Sequence, residues 1–331
     1  MIQTGLFQDV APKSSSDIDI DISVVIPFLN EAETLEQLHT EITSVLSSLK
    51  KTYEIILVND GSTDIGSDVA ESIAEKDSKV VLISFRRNFG KAAALSAGFQ
   101  IASGKIVITM DADLQDNPKE IPHFLEAIEN GADLVSGWKQ VRNDPLDKTL
   151  PSKVFNLITS RTLGISIHDI NCGFKAYRHE TLQHLHLYGE LHRFTPALLS
   201  ASGFEVTEIK VEHRPRAFGK SKYGWNRFIK GLLDLMTVLL QTRYGARPLH
   251  FFALIGLPLF ILGFCSVMYL ISLWFLGMGP IGNRPLLQIG ILLIVTGVQF
   301  LGTGLIAELV RGARITEKDK YAVKVVHRSK E

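Results

Sequence analysis

The chain has little cysteine and no excess of either charge. Its 331 residues include 2 cysteines, Cys172 and Cys265, too few for a disulfide framework, which fits a reducing cytoplasm. Lys and Arg together number 35, matching 35 Asp and Glu, so no global positive field points to a nucleic-acid partner. The glycine fingerprint of a dinucleotide site is missing too. The first strand-like run, Ile22 to Pro27, continues as Phe28-Leu29-Asn30-Glu31 rather than Gly-x-Gly-x-x-Gly, which disfavours hydride transfer. No full Gly-x-x-x-x-Gly-Lys-Ser/Thr loop occurs, which disfavours P-loop phosphate binding. Residues 1–21 are polar, with no apolar leader, and are expected to form a flexible extension.

Long apolar runs are present, and they lie near the C-terminus. Leu249 to Leu276 and Leu286 to Val310 carry no Asp, Glu, Lys or Arg except Glu308, and each exceeds the roughly 20 residues that cross a bilayer. A short Gly- and Pro-containing loop between them makes a hairpin of two transmembrane helices within 247–311. Basic residues flank it on one side: Arg243 and Arg247 before, Arg311, Arg314 and the 312–331 tail after. Such residues favour the cytoplasmic face, so the N-terminal domain and the tail are expected there, with Trp274 and Phe275 at the opposite interface. Before the hairpin, Trp225, Phe228, Ile229, Leu232, Leu233, Met236, Leu239 and Leu240 recur at helical spacing. Residues 225–246 are therefore expected to be an amphipathic helix lying on the membrane, with packing against the soluble core as the alternative. Gly290, Gly297, Gly302 and Gly304 would allow close helix approach and a homo-oligomer.

Residues 22–224 alternate strand-like and helical runs. Strands are expected at Ile22 to Pro27, Glu54 to Asn59, Val80 to Phe85, Lys105 to Met110, Asp133 to Gly137 and Glu205 to Val211. Helices are expected near 31–49, 67–75, 91–102, 119–129, 152–163 and 195–201, and 169–177 reads as a turn. This order implies an α/β domain with a mostly parallel sheet and helices on both faces. Ligands of such sheets bind beyond the carboxyl ends of the strands. Three strand ends carry acids and amides: Asn30-Glu31, Asn59-Asp60-Gly61-Ser62-Thr63-Asp64, and Met110-Asp111-Ala112-Asp113-Leu114-Gln115-Asp116. A paired Asp-x-Asp offers hard oxygen ligands to a divalent cation carrying a diphosphate. Each cluster alone is equally a good turn or helix cap; their coincidence at one sheet edge points to a site.

Together, Val-Val-Ile-Pro-x-x-Asn-Glu, Val-Asn-Asp-Gly-Ser-Thr-Asp, Arg87-Asn88-Phe89-Gly90-Lys91 and Met-Asp-Ala-Asp-Leu-Gln-Asp resemble family 2 glycosyltransferases of the GT-A fold. Within that family the chain is similar to polyprenyl-phosphate glycosyltransferases, including the bactoprenol glucosyltransferases and dolichyl-phosphate mannose synthase. The resemblance runs from about Ile22 to Val310. It implies a nucleotide-sugar site at Pro27, Asn30, Glu31, Asn59, Asp60, Asn88, Gly90, Lys91 and Asp111, with Arg216, Ser221 and Lys222 of an Arg-x-x-Gly-x-Ser-Lys loop over the phosphates. It implies Mg²⁺ or Mn²⁺ on Asp111, Asp113 and Gln115, with Asp113 catalytic as a metal ligand. It places Asp169 near the reaction centre and Lys139, Lys148 and Ser152 near an acceptor phosphate, which Arg193 could also reach. Two of those acceptor positions carry lysine where the family tends to carry arginine, and lysine lacks the bidentate fork.

The implied reaction is inverting transfer of one hexose to polyprenyl (undecaprenyl) phosphate at the cytoplasmic membrane face. UDP-glucose is the favoured donor, because the two-span hairpin looks like the bacterial glucosyltransferase type; GDP-mannose is the alternative. The Gln-x-x-Arg-Trp mark of processive synthases is missing, which favours a single transfer per acceptor. The competing reading from another class is a catalytically silent nucleotide-sugar-binding membrane module.

Overall fold

The computed structural model describes residues 20–140, 159–214, 226–245 and 247–314. The chain forms two compact units, Met1–Val238 and Leu239–Glu331.

The strands of the first unit are β1 (Ile22–Phe28), β2 (Tyr53–Asn59), β3 (Val80–Ser84), β4 (Ile106–Thr109), β5 (Leu134–Trp138), β6 (Lys175–Arg178) and β7 (Val206–Lys210). They form one sheet in the order β3-β2-β1-β4-β6-β5-β7. All residues of β1 and β2 are buried, as expected of central parallel strands covered on both faces. Helices α1 (Leu35–Ser48), α2 (Gly66–Lys76) and α4 (Ile121–Glu129) contribute to the core on one face of the sheet, and α3 (Lys91–Ile101) packs on the other. Helix α1 buries Leu35, Leu38, Ile42 and Leu46, an apolar stripe at helical spacing. Helix α3 approaches so closely that a Cβ on Gly98 would lie 2.4 Å from Val25 Cγ1.

Parallel registers of β1 with β2 (Phe28 opposite Asn59) and with β4 (Val25 opposite Thr109) bring three strand ends to one edge. The loops after β1, β2 and β4 therefore share a crevice, where open α/β sheets bind ligands.

The 169–177 segment departs from the expected turn. It enters β6, which lies antiparallel between β4 and β5, with Lys175 opposite both Thr109 and Ser136. Four residues beginning with Lys and ending with Arg carry no local strand signal; pairing on both sides creates the strand. The expected helix over 152–163 falls mostly outside the described residues, as do the extension up to residue 19 and the tail beyond residue 314.

Helix α6 (Asn226–Thr242) follows a short α5 (Thr195–Ala201) and β7. Its Leu235 and Val238 are buried with Ile167, Ile170, Leu191, Phe194 and Ala197, whereas Leu233 and Met236 are exposed. One face thus packs on the first unit's core, as the alternative reading expected, and another apolar strip is left uncovered.

The second unit is a hairpin of α7 (Pro248–Phe275) and α8 (Pro285–Arg314). Both helices are long and apolar enough to cross a membrane, and only 11% and 17% of their most apolar windows are buried. Core helices of a soluble protein bury that surface. Small residues seat the pair: a Cβ on Gly256 would lie 2.8 Å from the Gly297 carbonyl, and one on Gly263 2.6 Å from that of Gly290. Gly290, Gly297 and Gly304 therefore serve packing within the chain, while Gly302 has open space around it. Glu308 Oε2 accepts the Leu249 N–H at 3.1 Å, satisfying one of the orphan donors at the start of α7.

Candidate active site

A cleft of about 310 Å³ opens at the shared edge. Pro27, Glu31, Asp60, Asn88, Gly90, Lys91, Asp111 and Asp113 line it, together with Phe28, Leu29 and Ala112. Residues from four separate loops and helix starts, expected to bind one nucleotide sugar, are thus brought together by the parallel registers of β1 to β4.

Several amides expected as ligand contacts hold the loops of the cleft in place. Asn30 sits at φ 58°, a left-handed conformation that Asn tolerates better than most residues. Its N–H donates to Ser62 Oγ at 3.0 Å, and its side-chain oxygen accepts the Thr63 N–H at 2.8 Å. The Asn59 side chain accepts the Ser62 N–H at 2.8 Å. The Asn30 bonds tie the loops after β1 and β2, and the Asn59 bond closes the turn after β2. Asp60 extends the network to a third loop, accepting the Phe89 N–H at 2.7 Å and the Gly90 N–H at 3.0 Å. Gly61 (φ 73°) makes that approach possible, because a Cβ there would lie 2.4 Å from the Arg87 carbonyl carbon.

At the floor, Lys91 from the first turn of α3 forms an ion pair with Asp111. Burial pushes the Asp111 carboxyl up, but the Lys91 and Lys139 ammoniums, with the Lys91 hydrogen bond, outweigh it and hold it down at about 2. Asp113 is 8% exposed and accepts the Gln115 N–H at 3.2 Å. The intervening Leu114 takes φ 62°, a strained conformation for a branched side chain. It turns Gln115 so that its side-chain nitrogen lies 3.4 Å from His213 Nε2. Arg214 braces the same loop: its N–H donates to the Gln115 carbonyl at 3.0 Å and its guanidinium to Asn117 and Glu41, both at 2.7 Å.

Among the described residues no three His, Cys, Asp or Glu side chains form a ready metal cluster. Two carboxylates, one held ionised, nevertheless fit a hard cation that takes its remaining ligands from substrate phosphates and water.

Lys139, expected at an acceptor phosphate, is 12% exposed and paired at 2.8 Å with fully buried Asp116. Desolvation lowers its pKa, but Asp116 and other negative neighbours outweigh this and raise it. Asp116 Oδ2 also accepts the Asp111 N–H at 3.3 Å, so the pair braces the Asp-x-Asp turn. Asp169 is 2% exposed and does not line the cleft; its charge is felt by Lys175 and Cys172. Arg193 pairs with Glu190 and lines a second, smaller recess. Lys148, Ser152, Arg216, Ser221 and Lys222 lie outside the described residues.

Sequence reasoning missed Gly173. A Cβ there would lie 2.7 Å from Asp111 Oδ1 and 2.8 Å from Oδ2, so the backbone itself supports the carboxylate. Lys175 and His192 were missed as well. The available signal was a lysine and a histidine beside apolar neighbours, with no way to know that β6 buries them.

Residues 23–185 match the family model described as glycosyl transferase family 2. The chain is 36% identical over 296 residues to dodecaprenyl-phosphate galacturonate synthase of Rhizobium johnstonii, covering 88% of each. This chain belongs to glycosyl transferase family 2. It is an enzyme of that family, a glycosyltransferase. A second relative, undecaprenyl-phosphate 4-deoxy-4-formamido-L-arabinose transferase of Salmonella choleraesuis, is 37% identical over 292 residues, 87% of this chain and 88% of the relative. Among solved structures, glucosyl-3-phosphoglycerate synthase from Mycobacterium tuberculosis, in complex with Mn²⁺, UDP and phosphoglyceric acid, superposes with a TM-score of 0.53 at 21% identity. That match covers 67% of this chain and 78% of the other, and it establishes the GT-A-like α/β fold.

Proposed function

We propose that this glycosyltransferase moves one sugar from a UDP-linked donor to a polyprenyl phosphate, such as undecaprenyl phosphate, with inversion at the anomeric carbon. The observation that carries the reading is the convergence of Glu31, Asp60, Lys91, Asp111 and Asp113 on one cleft in a chain that also has two helices long enough to span a bilayer. Relatives named for dodecaprenyl- and undecaprenyl-phosphate, matched over both regions, support the lipid acceptor. Their sugars, galacturonate and 4-deoxy-4-formamido-L-arabinose, widen the donor class beyond the UDP-glucose expected from the sequence.

A phosphate acceptor is anionic at neutral pH, so no enzyme base is required. One of its oxygens forms a bond to the anomeric carbon, and the bond from that carbon to the diphosphate oxygen breaks. The electron pair leaves with the nucleoside diphosphate, and no proton moves. What the protein supplies is position and charge compensation. Lys91, at the cleft floor, faces the developing charge of the leaving group. Asp111 and Asp113 would hold Mg²⁺ or Mn²⁺, with Gln115 as an expected further ligand; bound there, the ion supplies Lewis-acid neutralisation of the diphosphate. Asp60 holds the 88–90 turn over the nucleoside.

The spans would anchor the chain where its lipid acceptor resides. Basic residues on the flanks of the hairpin support a cytoplasmic catalytic domain and tail. The exposed Leu233 and Met236 strip on α6 supports contact with the membrane surface.

The test is purified protein in nanodiscs with undecaprenyl phosphate, Mg²⁺ or Mn²⁺, and a panel of radiolabelled UDP- and GDP-sugars. The expected outcome is one lipid-phosphate sugar from a UDP donor, with the anomeric configuration opposite to the donor's (β from an α-linked donor), lost on chelation. A product that retains the donor's configuration, or a product only from a GDP donor, would overturn the reading.

A further inference from the structure

A smaller recess adjoins the cleft, sharing Lys91 with it and passing Gly173, the residue beneath Asp111. Lys175, His192 and Arg193 also line it, and the proposed transfer step uses none of these three. Its volume is about 10 Å³, room for one water-sized atom such as a single carboxylate oxygen rather than a sugar ring.

Lys175 opens β6 at the centre of the sheet, hydrogen-bonded into the ladder between Thr109 and Ser136. It is 2% exposed. A buried ammonium is costly unless it is paired with opposite charge. Its Nζ donates to the His192 carbonyl at 3.2 Å, a neutral acceptor, and among the described residues no carboxylate forms an ion pair with it. Burial, with Lys91 adding to it, pushes the amine down to about 8 against the opposing influence of Cys172, Asp169 and Asp111.

His192 Nδ1 is buried with no hydrogen-bond partner among the described residues. Burial first, then Lys91, Arg193 and Lys175, hold the imidazole neutral, its pKa down at about 2. The recess is therefore lined by an ammonium, Lys175, that has no ion-pair partner among the described residues, beside Lys91 and Arg193, which pair with Asp111 and Glu190. A hydroxyl group could accept one hydrogen bond there but could not balance the charge.

We propose that the recess recognises an anionic substituent of the donor sugar, a carboxylate as in a uronic acid, held by Lys175 beside Arg193 while Lys91 serves the diphosphate. The inference rests on the proposed nucleotide-sugar site, since the substituent must enter from a sugar seated in that cleft. A site built around a buried charge discriminates strongly, because the analogue lacking the partner leaves that charge uncompensated.

Full-length protein in nanodiscs is titrated with UDP, UDP-glucose, UDP-galactose, UDP-glucuronate and UDP-galacturonate, with Mn²⁺ present, and transfer to undecaprenyl phosphate is followed in parallel. At least one uronate is expected to bind about 100-fold more tightly than its neutral counterpart. Lys175→Met should erase that preference while leaving UDP affinity unchanged, and Lys175→Arg should retain part of it. Equal affinity for uronate and neutral sugar in the wild type, or a preference surviving in Lys175→Met, overturns the inference. If Lys175→Met does not fold, the wild-type panel still decides. Uronate preference without any glycolipid would sink the transferase reading and keep the inference; glycolipid from UDP-glucose with no uronate preference would do the reverse.

Discussion

Gly173 stands directly against the Asp111 carboxylate, at a distance that leaves no room for a methyl group: a Cβ there would meet both oxygens within 2.8 Å. The same residue offers its carbonyl to Thr109 Oγ1 at 2.8 Å, so β4 and the approach to β6 lock around the first carboxylate of the Asp-x-Asp turn.

Gly173→Ala should therefore displace Asp111 rather than unfold the sheet. Transfer is expected to fall by about 100-fold, the scale of an ångström-level misplacement, with an unchanged circular dichroism spectrum. Full activity in the alanine variant would show that Asp111 is not required in its present position.

The proposed cation site makes Asp113→Asn a direct test. Folding and membrane insertion should persist, because the isostere can still accept the Gln115 N–H. Transfer should drop by more than about 100-fold, beyond the range of an outer-shell change. Wild-type turnover at saturating Mn²⁺ would refute the assignment.

Lys91 and a divalent cation compete for Asp111. Without donor present, Lys91→Met should raise Mn²⁺ affinity by about tenfold, the equivalent of 1.4 kcal/mol, read by electron paramagnetic resonance. Donor turnover should fall nonetheless, because the diphosphate loses its ammonium. Unchanged Mn²⁺ affinity would mean that the ion pair does not guard the site.

Lys139, expected from the sequence at an acceptor phosphate, pairs with Asp116 in the structure. Lys139→Met strands the buried Asp116 carboxylate, a change that typically costs about 3–5 kcal/mol. The expected readout is a marked loss of thermal stability; a normal melting temperature with only a raised KM for polyprenyl phosphate would restore the acceptor-site reading.

In the helical hairpin, Gly297→Leu forces a side chain into a gap where a Cβ already lies 2.7 Å from the Gly256 carbonyl. Overpacking of this kind costs about 1–3 kcal/mol. The melting temperature in detergent should fall, whereas Gly302→Leu, which meets open space, should be tolerated. Equal loss in both variants would point to a crowded contact at Gly302, such as a second copy of the chain.

Strand ends, the Asp-x-Asp turn and the two spans were legible in the sequence because each is written in local pattern. A fully buried parallel strand must be a continuous apolar run, as Ile22–Phe28 is, and the chain can only continue beyond it in a polar loop. Nothing local marks Lys175-Ala176-Tyr177-Arg178 as a strand, or tells a buried lysine from a solvated one. Those facts come into being when β6 is inserted antiparallel between β4 and β5, partners far away in the sequence. The same insertion presses Gly173 against Asp111, and the fold pairs Lys139 with Asp116 rather than leaving it solvated. Local periodicity thus determined which residues border the cleft. Long-range pairing and the cost of burying charge decided which of them brace the loops of the cleft and which cation, among the described residues, is left without an ion-pair partner.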